Sequence, residues 1–234
     1  MFSVKLISIV AALFILWEMG PLGPRAESRP SKAAVVTYLA LGDSYTIGES
    51  VDAADRYPVQ AVSLLNQTDH LPCQDPDIIA VTGWTTGNLL DALAMEKPAP
   101  TYRIVSLLIG VNNQFQGRSQ SEYRGQFALL LEKSIELAGN HPSHVIVLSI
   151  PDYSVTPFGR SRDTALIAAQ IDSFNVINRE LALAYKVNYI DVTAESRKAA
   201  GDPTLIAGDG LHFSGKEYGN WARMMEPVLK GILQ

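Results

Sequence analysis

Ser44 and His212 are the two side chains of this 234-residue sequence whose chemistry joins most readily. A serine hydroxyl is a poor nucleophile at neutral pH and needs a base within hydrogen-bond reach, which an imidazole supplies. Asp209 stands three residues before His212, so a tight turn can fold its carboxylate back onto the imidazole Nδ1 proton, fixing the tautomer and stabilising the imidazolium. Attack on a carbonyl carbon puts negative charge on oxygen, and donors must already point there. The backbone N–H groups of Ser44 and Gly83 and the side-chain amide of Asn112 are the candidates for that oxyanion hole. Glycine at 83 lets a backbone N–H approach a substrate with no side chain in the way. The chemistry implied is acyl transfer to water through Ser44, with no metal and no organic cofactor.

These residues are far apart in the chain, so a fold must gather them. An apolar run, 34–41, stops abruptly at Gly42-Asp43-Ser44, as a buried parallel strand does on reaching the edge of its sheet. Further runs rich in Val, Ile or Leu occupy 77–81, 104–109, 145–150 and 187–192. Between and after them lie segments of helical period at 58–66, 86–96, 121–139, 165–186 and 215–233. In the third of these, Phe127, Leu130, Leu131, Ile135 and Ala138 recur at spacings of three and four, marking one apolar face. Strictly alternating strands and helices predict a five-stranded parallel sheet with helices on both faces and right-handed crossovers. Ser44 follows the first strand, Gly83 the second, Asn112 the third and His212 the fifth. In a parallel sheet those positions share the carboxyl edge, where ligands bind. The stretch 151–164 is longer than a usual strand-to-helix loop and is expected to border the site.

Four blocks carry a family resemblance: Gly42-Asp43-Ser44, then Gly83, then Gly110-Val111-Asn112, then Asp209-Gly210-Leu211-His212. In that order, each after a predicted strand, they resemble the SGNH hydrolases, the GDSL esterase/lipase family, over nearly the whole domain from Leu39 to about Tyr218. The resemblance implies an α/β fold, a flavodoxin-like three-layer α/β/α sandwich. It also implies Ser44, Asp209 and His212 as catalytic residues, with Ser44, Gly83 and Asn112 as the oxyanion hole. Two positions depart from the family pattern: Tyr45 stands where the namesake motif has Leu, and Asn113 stands where the third block usually has Asp. Neither change removes a catalytic group, and both bear on the pocket.

Other residues receive plainer readings. Asp43 is taken as structural, because neighbours in an extended segment point to opposite faces. His70, His141 and His144 fall in predicted loops without a set of acids or cysteines nearby and read as solvated rather than metal-binding. Trp84, Phe115 and Tyr153 follow strand ends and are candidate substrate contacts.

Composition limits the rest. A net charge of −5 and 47% hydrophobic residues suit one globular domain, assigned to 34–234. Basic residues are scattered, with no run to neutralise a line of phosphates, so nucleic acid is not an expected partner. Cys73 is the only cysteine, which excludes an intramolecular disulfide. At the N-terminus one lysine precedes twelve uncharged, mostly apolar residues, 6–17. As a helix these rise about 18 Å, short of the roughly 30 Å hydrocarbon core, so residues 1–26 are expected to be a cleaved signal peptide and 27–33 a flexible lead. Secretion or a periplasmic location follows, with an uncleaved N-terminal membrane anchor as the alternative. The expected activity is hydrolysis of short-acyl carboxylic esters on a small-molecule or glycan substrate. Thioesterase or lysophospholipase-like cleavage and carbohydrate acetyl ester cleavage are its rivals, and a binding module on the same fold is the rival without turnover.

Overall fold

Tyr38–Gly42 (β1) lies between Asp77–Ala80 (β2) and Ile104–Leu108 (β3), and Val145–Leu148 (β4) and Asn188–Ile190 (β5) extend the sheet beyond β3. The computed structural model describes residues 35–68, 72–96, 98–99 and 101–234. All four strand pairings are parallel, in the order β2-β1-β3-β4-β5, with Leu41 level with both Ile79 and Leu107 and Leu148 level with Ile190. Every residue of β1, β3 and β4 is buried. Helices cover both faces, so these strands carry no polar side, which is why they read as continuous apolar runs. Ser106, the polar exception in β3, is hydrogen-bonded to Tyr38 Oη at 2.7 Å and to Tyr57 Oη at 3.4 Å.

The strands are shorter than their apolar runs. Val36 forms only an isolated bridge to Cys73, and Ile109, Ile150, Val187 and Val192 are buried outside the ladders. Apolar content reports burial, whereas a strand also needs a neighbour to pair with, and the edge strand β5 keeps just three paired residues.

The helices are Ser44–Ile47 (α1), Tyr57–Thr68 (α2), Thr86–Met95 (α3), Val111–Phe115 (α4), Gln120–Leu137 (α5), Pro157–Arg160 (α6), Thr164–Tyr185 (α7), Thr193–Ser196 (α8) and Gly215–Leu233 (α9). The five long ones agree with the periodicity to within two residues. The four short ones, α1, α4, α6 and α8, sit where loops were expected, because four or five residues show no period. α2 and α9 pack together, as α3, α5 and α7 do in a second layer. Along α9, Tyr218, Trp221, Ala222, Met225, Leu229 and Ile232 are buried at helical spacing. Trp221 centres an aromatic cluster with Phe213, Tyr218, Tyr57 and Tyr45, at ring-centroid distances of 5.5, 5.0, 6.1 and 6.3 Å. Full burial of a ring such as Phe213 contributes about 2 to 3 kcal/mol, and it pins the segment just before α9 to the core. Among the described residues, no helix is long and apolar enough to cross a membrane. The expected signal peptide, flexible lead and His70 lie outside the described residues.

Candidate active site

Ser44 opens α1 directly at the end of β1. The turn is tight: a Cβ at Gly42 would lie 2.1 Å from Thr46 Oγ1 and 2.4 Å from the Leu108 carbonyl, so only glycine lets α1 fold back over the end of β3. Asp43 is the N-cap of α1, its Oδ1 accepting from the Tyr45 N–H at 3.1 Å while its carbonyl accepts from Thr46 and Ile47. That leaves the Ser44 N–H without an intramolecular partner among the described residues, as expected for the first N–H of a helix. Asp43 is thus structural, but as a helix cap rather than as the far face of a strand. Its carboxyl is fully buried, and this desolvation pushes its pKa up to about 7, against the opposing effect of N–H donors from Tyr45 and Gly110. Among the described residues its Oδ2 has no hydrogen-bond partner.

Gly83 follows β2 with φ of +86°, and nothing lies within 4 Å of the place a Cβ would take. The conformation favours glycine and the space is open to the cleft. Asn112, on α4 just after β3, donates one amide hydrogen from Nδ2 to the Trp84 carbonyl at 2.9 Å, which leaves the other free. Asn113, the departure from the family pattern, faces away. Its Oδ1 accepts from the Thr86 N–H at 3.0 Å and its Nδ2 donates to Thr86 Oγ1 at 2.7 Å, tying the end of β3 to the start of α3.

His212 comes after the fifth strand, as expected, but at a distance. α8 and two further turns intervene, and the Ile206–Phe213 antiparallel bridge presents the 207–212 loop just ahead of α9. Asp209 Oδ1 accepts from the backbone N–H groups of Leu211 and His212, both at 2.9 Å, closing the predicted tight turn. Asp209 Oδ2 faces His212 Nδ1 at 2.5 Å. Partial burial works against the charge on Asp209. The hydrogen bonds from His212, from the two backbone N–H groups and from Ser50 outweigh it and hold the carboxyl at about 2. Ser50 escaped the sequence reading because one serine in a polar loop carries no signal; its Oγ donates to Asp209 Oδ2 at 2.8 Å.

Ser44, Gly83, Asn112 and His212 line one cleft of about 130 Å³. Val111, Phe115, Tyr153, Phe158 and Leu211 form its apolar wall, so two of the three proposed substrate contacts stand on it. Trp84 does not: its side chain packs half-buried against the core and only its carbonyl serves the site. Tyr45, expected to bear on the pocket, and Phe158, in the stretch expected to border it, line the cleft as well. Tyr45 is buried edge-on against the His212 ring, centroids 5.7 Å apart, and among the described residues its hydroxyl has no hydrogen-bond partner. The stretch 151–164 does border the site. Asp152 anchors it through Arg197 Nε at 2.8 Å and caps the Ser154 N–H at 2.9 Å, and the Phe158 N–H donates to the Gly210 carbonyl at 2.9 Å.

The model of the GDSL-like lipase/acylhydrolase family matches residues 40–218, a span that holds all five chemistry-bearing positions. No curated protein matches the chain. Among solved structures the chain is similar to the acetylxylan esterase Axe2 from Geobacillus stearothermophilus, at 19% identity and a TM-score of 0.65 over 85% of this chain and 96% of that one. It is also similar to a lipase/acylhydrolase from Enterococcus faecalis, at 20% identity and a TM-score of 0.63 over 84% and 96%. The psychrotrophic esterase EstA from Pseudoalteromonas sp. gives 17% identity and a TM-score of 0.61 over 84% and 98%. At such identities the likeness is one of fold, and it agrees with the three-layer architecture.

Proposed function

The chain belongs to the GDSL-like lipase/acylhydrolase family of ester-bond hydrolases, and from that premise we propose that it cleaves short-acyl carboxylic esters through an acyl intermediate on Ser44. The observation that carries the reading is that Ser44 and His212 open onto one cleft while Asp209 already holds His212 Nδ1 at 2.5 Å. Nδ1 is thereby committed, and Nε2 is the ring nitrogen left to take the Ser44 proton. As Ser44 Oγ attacks, the carbonyl oxygen becomes an oxyanion received by the N–H groups of Ser44 and Gly83 and by the free amide hydrogen of Asn112. Collapse breaks the ester bond and the alcohol leaves with the proton from His212. Water, deprotonated by the same ring, then attacks the acyl-Ser44 carbonyl and frees the acid.

The size of the cleft supports the short acyl group. At about 130 Å³ it falls well below the roughly 300 to 1,000 Å³ of pockets that enclose drug-sized ligands. An acetyl or butyryl group fits such a volume with the alcohol or glycan lying outside it, whereas a long acyl chain would not be enclosed. Export by the N-terminal segment belongs to the same proposal. The test is turnover of p-nitrophenyl acetate together with labelling by a fluorophosphonate. The adduct is expected on Ser44, and both signals vanish in Ser44→Ala while the fold persists. A label on another serine overturns the assignment, and absence of turnover favours a binding module.

A further inference from the structure

The apolar wall of the cleft ends under a cation. Phe115, Tyr153 and Phe158 form a triangle of rings with centroids 6.2 to 6.3 Å apart, and the Arg162 guanidinium lies over two of them, its Cζ 4.6 Å from the Phe158 centroid and 5.1 Å from that of Phe115. Both distances are inside the range of a cation–π contact. The platform is firmly held: Thr156 caps α6 by accepting from the Gly159 N–H at 3.1 Å, and Tyr153 Oη donates to Gln114 Oε1 at 3.1 Å. The Arg162 N–H donates to the Gly159 carbonyl at 3.0 Å, fixing the arginine's place on this strap.

Among the described residues the Arg162 side chain forms no ion pair and no hydrogen bond. Neighbouring Asp163 turns its Oδ1 to cap α7 through the Leu166 N–H at 3.0 Å, and neighbouring Arg160 donates to the Ala200 carbonyl at 3.0 Å. None of the residues lining the cleft is acidic. Stacking orders the guanidinium while leaving its edge donors unused, and that edge is the geometry that grips a carboxylate or phosphate with two parallel hydrogen bonds. In a chain of net charge −5, an uncompensated cation on the aromatic wall of the cleft makes a specificity element.

We propose that Arg162 is an anion subsite of this cleft, selecting esters that carry a carboxylate or phosphate beyond the portion lying on Phe115 and Phe158. The inference rests on the hydrolase reading above. It leaves two sources for one chemistry, since the anion can sit on the acyl or on the alcohol side of the ester.

Two matched pairs separate them. Monoethyl succinate against ethyl butyrate varies the acyl side, and the acetyl ester of glycerol phosphate against the acetyl ester of glycerol varies the alcohol side. In one pair the anionic member is expected to show the higher kcat/KM. Arg162→Gln lowers that anionic-to-neutral ratio about tenfold, as loss of a charge-assisted contact does. Arg162→Lys keeps the charge but loses the fork, and lowers the ratio less. Added salt lowers the ratio in the wild type. A ratio that stays the same in Arg162→Gln, with both members falling together, overturns the subsite and leaves Arg162 as a prop for the rings. So does a wild type that favours the anion in neither pair. The neutral esters report on the hydrolase reading itself: if the wild type turns over none of the four, that reading fails and the subsite falls with it.

Discussion

The hydroxyl of Ser50 donates to Asp209 Oδ2 at 2.8 Å, the same oxygen that faces His212 Nδ1. Ser50 holds a left-handed backbone, φ 66°, which costs a non-glycine residue of order 1 kcal/mol. The loop after α1 therefore braces the acid of the proposed triad at the oxygen it shares with the imidazole. Ser50→Ala should lower kcat about fivefold with little change in KM, the value of one hydrogen bond near 1 kcal/mol. Because this bond helps hold Asp209 at about 2, its loss should move the carboxyl toward its ordinary range and shift the acid limb of the pH–rate profile. A kcat untouched by Ser50→Ala would show the contact to be idle.

Asn112→Ala removes an oxyanion donor and should reduce kcat by about 10²- to 10³-fold while KM moves less. Asn113→Ala should behave differently. It strands the Thr86 N–H in the interior while the Thr86 hydroxyl keeps its bond to Gln126 Oε1, so the expected effect is about 1 to 3 kcal/mol of stability, read by urea unfolding.

Asp43 should make stability depend on pH. Its folded pKa of about 7 lies above the ordinary 3.8, so between those values the folded state holds a proton that the unfolded chain has lost. Stability is favoured at the acid end of that window and declines as pH rises toward 7, by at most on the order of 4 kcal/mol. Asp43→Asn cannot titrate. The urea midpoint of the wild type should fall relative to this variant between pH 5 and 8, and parallel curves would show that Asp43 keeps one protonation state. Asp209 acts with the opposite sign: held at about 2, it stabilises above its ordinary range and loses this as pH falls from 4 to 2.

Tyr45→Phe should leave stability within about 0.5 kcal/mol, because among the described residues the hydroxyl has no partner to lose. Tyr45→Ala opens a cavity among His212, Phe213 and Trp221 and should cost about 3 to 5 kcal/mol. Equal Tm values for all three proteins would contradict the packing described for this ring.

A series of esters from acetyl to palmitoyl, measured below their micelle concentrations, tests the size of the acyl pocket. Beyond the cleft each added methylene should contribute well below the roughly 0.8 kcal/mol of full burial. A steady rise of kcat/KM toward palmitoyl would instead point to long-chain, lysophospholipase-like substrates.

The strand positions and the turns that end them were readable because buried parallel strands leave unbroken apolar runs, and each run ends in residues unsuited to a core: Gly42-Asp43-Ser44 after the first, Gly110 before Asn112 after the third. Side-chain direction was not readable. Trp84 and Phe115 both follow strand ends, yet the first turns to the core and the second to the cleft, because φ and ψ in the intervening turns decide the aim. Ser50 meets Asp209, and Arg162 meets Phe115, across long sequence separations that leave no periodic trace.

The three donors proposed for the oxyanion come one each from the ends of β2, β1 and β3, which are lateral neighbours. Adjacent strands sit about 4.8 Å apart because backbone hydrogen bonds hold them there. The sheet is thus a ruler for the hole, and loop changes at the rim can alter the acyl wall without changing its gauge. The imidazole has no such ruler. It hangs on a loop secured by Phe213 in the core and by the Gly210 carbonyl on α6, so warming or denaturant should detach the base while the three donors are still in place.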